Sequence, residues 1–172
     1  MGLDMYLSKR TYVKNWDWKE DNPTHHVQVT KNGDVRKDIK PSRITYIIEE
    51  VGYWRKFNAL HGYIVENYGK GIDECQEIYL ELSDLEVMIE VMKEVMKSKP
   101  NEDGVVDPSA PDPGDLLPPT QGFFFGGYEL DEYYYDEVER TIELFTELVN
   151  EEQKSEEENG LWSGSFYYQA NW

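Results

Sequence analysis

The chain has 172 residues, one cysteine and no run of 18 apolar residues, which points to one domain and excludes an internal disulfide and a membrane-spanning helix. Its formal net charge of −18 is unevenly placed: residues 1–45 carry nine Lys or Arg against six Asp or Glu, a net +3, and residues 46–172 carry eight against twenty-nine, a net −21. So acidic a surface repels phosphate backbones, which disfavours direct nucleic-acid binding and leaves solubility or a basic partner as its use.

Aromatic residues make up 14% of the chain, with thirteen tyrosines, too many for a disordered acidic segment. The opening "MGLDMYLSKR" has no charged stretch followed by an apolar run, so no secretory signal is read. With the lone Cys75, this makes the cytoplasm the expected compartment.

In chain order, "MYLSKRTYV" predicts an opening strand, and "NWDWKEDNPTHH" a polar loop. His25 and His26 fall at its end, at the start of an extended stretch whose alternation would send them to opposite faces, so they do not chelate one metal together. In "HVQVTKNGDVRKDI", Val27 and Val29 alternate with polar residues, and Asn32-Gly33 supplies the two left-handed positions of a hairpin turn. "RITYIIEEVGYW" predicts a strand over about 43–51, with a bend at Gly52.

Trp54, Phe57, His61, Ile64 and Tyr68 recur at intervals of three and four, which predicts a helix over 53–68 closed by Gly69 and Gly71. "CQEIYLEL" reads as a strand. Ser83 and Glu86 have capping-box spacing for a helix running to about Lys99, with Leu85, Met88, Ile89, Met92 and Met96 as its core stripe. Residues 100–121 hold six of the eight prolines and predict a long mobile loop. "GFFFGGY" predicts a short strand. The longest helix follows, with Tyr134, Val138, Ile142, Phe145 and Val149 facing the core. Residues 151–160 read as an acidic solvated run, and "GSFYYQANW" as a closing aromatic strand that is able to pair across a dimer if it lies at a sheet edge. Together these predict a single α+β domain over 1–172: an antiparallel sheet of four to six strands with about three helices and one long Pro-rich loop.

No phosphate-binding glycine loop, metalloprotease helix, nucleophile elbow or cysteine–histidine zinc spacing is present, so no catalytic residue, metal or cofactor is assigned. The chemistry that remains lies in "YWRKFNALHG". If Arg55, Asn58 and His61 lie along one helix edge, they form a row of donors beside Tyr53, Trp54 and Phe57, with Lys56 adjacent. Such a row suits a small anionic ligand with a planar ring. The same residues have a plainer reading, with His61 buried and the cations paired to nearby carboxylates. A second constellation, "PPTQGFFFGGY", offers Thr120, Gln121, Phe124, Gly126 and Tyr128 as a facing wall, or else simply fills the core.

The segments "MGLDMYL", "YWRKFNALHGYIVENYGKGIDECQEIYL" and "LLPPTQGFFFGGYELDEYYYDEVERTIE" together resemble a family of small proteins encoded by bacteriophages and prophages. The resemblance covers about residues 1–10 and 44–149. It marks Tyr53, Trp54, Arg55, Lys56, Asn58, His61, Phe123, Phe124, Phe125 and Gly126 as motif positions, and it implies a working place inside an infected bacterial cell. It brings context rather than mechanism. Three classes of function are compatible with it. The first is a non-enzymatic protein that sequesters a small nucleotide-like signal of anti-phage defence. The second is an acidic inhibitor of a basic host protein. The third is a nucleotide-modifying enzyme using His61.

Overall fold

The computed structural model describes residues 2–15, 25–122, 125–159 and 164–172. Most of the loop read at residues 15–26, and Phe123 and Phe124 of the short strand read there, lie outside these residues. The elements are β1 (Asp4–Tyr12), β2 (Thr30–Lys31), β3 (Asp34–Val35), β4 (Tyr46–Arg55), α1 (Asn58–Asn67), β5 (Ile78–Leu80), α2 (Leu82–Met96), α3 (Pro113–Leu116), α4 (Glu132–Asn159) and β6 (Ser165–Asn171). Four strands form an antiparallel sheet in the order β4-β1-β6-β5, and β2 and β3 form a separate hairpin. The class is α+β, as the sequence predicts.

Alternation within the strands divides the sheet into two faces. Met5 and Leu7 of β1, Phe166, Tyr168 and Ala170 of β6, Ile78 and Leu80 of β5 and Trp54 of β4 all point into the core. There they meet Leu60 and Ile64 of α1, Leu85, Met88 and Met92 of α2, and Val138, Phe145 and Val149 of α4. Tyr6, Ser8, Arg10, Tyr53, Tyr79 and Tyr167 alternate with those core residues and occupy the other face. Trp54 locks the sheet to α4: its indole N–H donates to Thr141 Oγ1 at 2.8 Å, and its ring meets Phe145 edge-on at 5.9 Å.

Several expectations shift once the strands pair. The hairpin turn forms as read, with φ of 54° at Asn32 and 89° at Gly33, but its ladder has only two residues per side, so Val27 and Val29 stand outside it. The strand expected over 43–51 starts at Tyr46 and runs through Gly52 to Arg55. Gly52 therefore marks no bend. It gives room instead, since a Cβ there would stand 2.6 Å from the Trp54 ring. Val51 is the extra residue of a bulge, because Leu7 pairs with Gly52 and Ser8 with Glu50.

The helix expected from Tyr53 therefore begins only at Asn58. Nine residues of β1 pair with β4, and that ladder overrides the helical spacing of Trp54 and Phe57. The cap of α2 is Glu81 with Asp84, two residues ahead of the Ser83–Glu86 pair, and Glu81 N donates to Asp84 Oδ2 at 2.7 Å. The stripe of α2 is buried as expected at Leu85, Met88, Ile89 and Met92, while Met96 is half-buried. The Pro-rich stretch contains α3, capped by Asp112, and its end is pinned where Tyr134 Oη donates to Leu117 O at 2.9 Å. The acidic run after Asn150 is a continuation of α4, and within it Glu152 is buried in an ion pair with Lys9. The closing strand β6 lies between β1 and β5, so it has no free edge for a dimer.

Candidate functional site

The chain turns from β4 into α1 through Lys56, whose φ of 62° is left-handed. A non-glycine residue is held there only when its surroundings fix it. Lys56 N donates to Leu3 O at 2.8 Å, and Gly126 packs so close that a Cβ on it would lie 3.1 Å from Lys56 Cβ. Gly126 itself has φ of 101°, so both sides of this junction are backbone-constrained.

A cleft of about 510 Å³ opens at the junction. One wall is Arg55, Lys56 and the first residues of α1, and the other is Gly126, Gly127 and Tyr133, with Glu129 and Asp131 alongside. Arg55 is largely exposed, and its nearest carboxylate is Asp4, with Nε 3.8 Å from Oδ1. Lys56 makes no ion pair among the described residues. The N-terminus of α1 receives no side-chain cap, which leaves first-turn amides beside the two cations. Asp131 is partly engaged, because its Oδ1 accepts from Tyr134 N at 3.1 Å and so caps α4. Tyr133 Oη donates to Arg55 O at 2.6 Å and ties the two walls together.

Asn58 and His61 are brought close but are occupied. Asn58 is buried: its Nδ2 donates to Phe125 O at 3.2 Å and Gly127 O at 2.8 Å, and its Oδ1 accepts from Thr120 N at 3.0 Å. One amide thus saturates three backbone groups and docks residues 120–127 onto α1. His61 is 1% exposed, with Nδ1 2.7 Å from Tyr168 Oη and Nε2 3.1 Å from Asp73 Oδ2. Burial first, and the Asp73 charge second, push the Tyr168 phenol well above its ordinary pKa. It keeps its proton and donates it to Nδ1, which leaves Nε2–H to donate to Asp73. Phe125 and Trp172 pack around the ring at 5.2 and 5.6 Å.

The row of Arg55, Asn58 and His61 along one helix edge does not form, because Arg55 belongs to a strand. Of the other expected positions, Trp54 is buried in the core. Tyr53 is on the outer sheet face, its hydroxyl 2.6 Å from Asp4 Oδ1. Thr120 packs on Gly62, where a Cβ would come within 1.7 Å of its Oγ1. Thr120 lines a second hollow of about 430 Å³ with His61, Asp73 and Asp115. Gln121 and Tyr128 are exposed and do not line the cleft, and Phe124 lies outside the described residues. Nothing in the spacing of the sequence singles out Glu129, Asp131 and Tyr133 for the cleft, or Asp73 and Tyr168 as partners of His61. The only sequence signal for the first three is the dense "YELDEYYYD" run at the start of α4.

A wall of cations facing a wall of carboxylates and a tyrosine suits a ligand that is anionic at one end and carries hydroxyl or amino groups at the other. Comparison of the chain with protein-family models, with curated proteins and with solved structures gives no match in any of the three.

Proposed function

We propose that this chain is a phage-encoded binding protein that sequesters a small anionic, nucleotide-like ligand in the cytoplasm of an infected bacterium. The observation that carries the reading is the cleft itself, where exposed Arg55 and Lys56, the latter without an ion pair among the described residues, line about 510 Å³ of space next to an uncapped helix start. In this reading a phosphate goes to Arg55 and Lys56, and the planar guanidinium supplies two-point recognition. Sugar hydroxyls donate to Glu129, and a ring lies against Tyr133. Binding rather than turnover is favoured because both nitrogens of His61 are already engaged and its ring is buried. The phage setting rests on the resemblance of the same segments, since "YWRK" and "FFFGG" contribute cleft residues.

The test is native mass spectrometry of the chain purified from bacteria, followed by calorimetric titration with nucleoside mono-, di- and triphosphates. Binding should occur and should weaken on the order of a hundredfold in Arg55→Ala/Lys56→Ala, as the loss of two charge-assisted contacts implies. No binding by any of these anions, or binding that survives the double variant, overturns the proposal.

A second reading has its own support. Glu139, Glu143 and Glu147 are exposed at four-residue intervals along α4, an acidic stripe that suits a basic host protein. Charge reversal of these three residues separates the two readings, because it would abolish capture of such a partner and leave nucleotide binding intact.

A further inference from the structure

The sheet has one long open edge. β4 pairs with β1 on one side and, among the described residues, with nothing on the other. The opposite edge strand, β5, has three residues, whereas β4 has ten. Long natural edges are usually blunted by Lys, Pro or a strong twist. The first half of β4 carries none of these residues: Tyr46, Ile47 and Ile48 follow one another and are 53%, 39% and 60% exposed. Ile48 pairs with Arg10 and so shares the outer sheet face, while Ile47 lies on the opposite face. The ribbon thus offers apolar side chains above and below an unpaired backbone.

The geometry of that backbone restricts what fits it. Val13 N donates to Thr45 O at 3.0 Å, so Thr45 aims its backbone groups at β1. By alternation, Ile44, Tyr46, Ile48 and Glu50 aim theirs outward. A second copy related by a two-fold axis through the sheet places like-facing residues opposite one another. An axis at Glu49 would oppose that carboxylate to itself. An axis at Tyr46 instead sets Ile48 against Ile44 and Glu49 against Arg43, each twice. Arg43 and Glu49 are both exposed, and neither has an ion pair within the chain among the described residues. Pro41 closes the ladder beyond.

We infer that β4 pairs antiparallel with β4 of a second copy about an axis at Tyr46, joining two four-stranded sheets into one of eight strands, with two Arg43–Glu49 pairs fixing the register. Charge complementarity selects the occupant: the edge is complementary to itself in this register and repels itself at Glu49. The cleft at Arg55 lies at the other end of β4, so this pairing stands or falls independently of ligand binding.

Sedimentation equilibrium on the full chain tests it. The expected mass is twice 20.2 kDa. Arg43→Glu and Glu49→Arg should each raise the dissociation constant on the order of tenfold or more, since each replaces two attractive cross-strand pairs with repulsive ones. The double exchange Arg43→Glu/Glu49→Arg should restore the dimer. All three variants alter exposed side chains, and circular dichroism confirms that the fold is kept. A chain that is monomeric at every concentration, a dimer indifferent to the single changes, or a double exchange that fails to restore association each overturns the inference.

Discussion

At the scale of the residue, Lys56 is where stability and the proposed site conflict. Its φ of 62° costs an L-residue about 1–2 kcal/mol relative to ordinary backbone. A glycine avoids that strain but loses more freedom on folding, which takes back part of the gain. Lys56→Gly should therefore be about 1 kcal/mol more stable than Lys56→Ala, in which the left-handed strain remains. Urea denaturation of the two variants measures the difference. Equal midpoints would show that the strain is not felt at this position. Both variants remove the charge, so both should weaken anion binding alike. The sequence shows that Arg55, Lys56, Asn58 and His61 belong together, because they are close in the chain. It cannot show that Asn58 and His61 are consumed internally. Their partners, Thr120, Phe125, Gly127, Asp73 and Tyr168, lie 12 to 107 residues away.

At the scale of the element, the instructive feature is β4 running into α1. Trp54, Phe57, His61 and Ile64 are all buried, so the helical spacing in the sequence identifies core positions correctly. It assigns the wrong element because a strand ending in Trp54 and a helix starting at Asn58 leave the same three-and-four pattern. Only pairing with β1 distinguishes them, and that is a contact over some fifty residues of chain. The long helix α4 is legible because its stripe repeats from Tyr134 to Val149, and no single displaced residue can mask five repeats. Trp54 joins these elements, which makes it a sharp probe of the packing. Trp54→Ala should lose about 3–5 kcal/mol, the range for emptying a large aromatic site. Trp54→Phe should lose about 1–2 kcal/mol, since it keeps most of the apolar volume and gives up the bond to Thr141 Oγ1. Thermal and urea unfolding of the pair reads both. If Phe proves as damaging as Ala, the hydrogen bond rather than the ring holds α4 to the sheet.

At the scale of the whole molecule, charge repulsion weighs most heavily. Thirty-five acidic residues against seventeen basic ones must repel one another in any compact state. The exposed ion pairs do not offset this, because pairs such as Lys93–Glu90 and Lys97–Glu94 are solvent-facing and worth little. Repulsion is concentrated where Glu139, Glu143 and Glu147 follow at one-turn spacing, about 6 Å apart on α4. Salt screens charges over about 10 Å at 0.1 M and about 3 Å at 1 M. Between those concentrations, then, the repulsion between neighbouring turns should fade while the buried Lys9–Glu152 pair is hardly touched. Raising sodium chloride over that range should increase the unfolding free energy. Glu143→Lys, which turns two like-charged neighbours into opposite ones, should stabilise at low salt by about 0.5–1 kcal/mol and lose that advantage at high salt. Urea midpoints for both chains across the salt series decide the matter. A fall in stability with salt would mean that specific ion pairs outweigh the net charge, and the acidity would then belong to the fold rather than to a surface kept acidic for a partner.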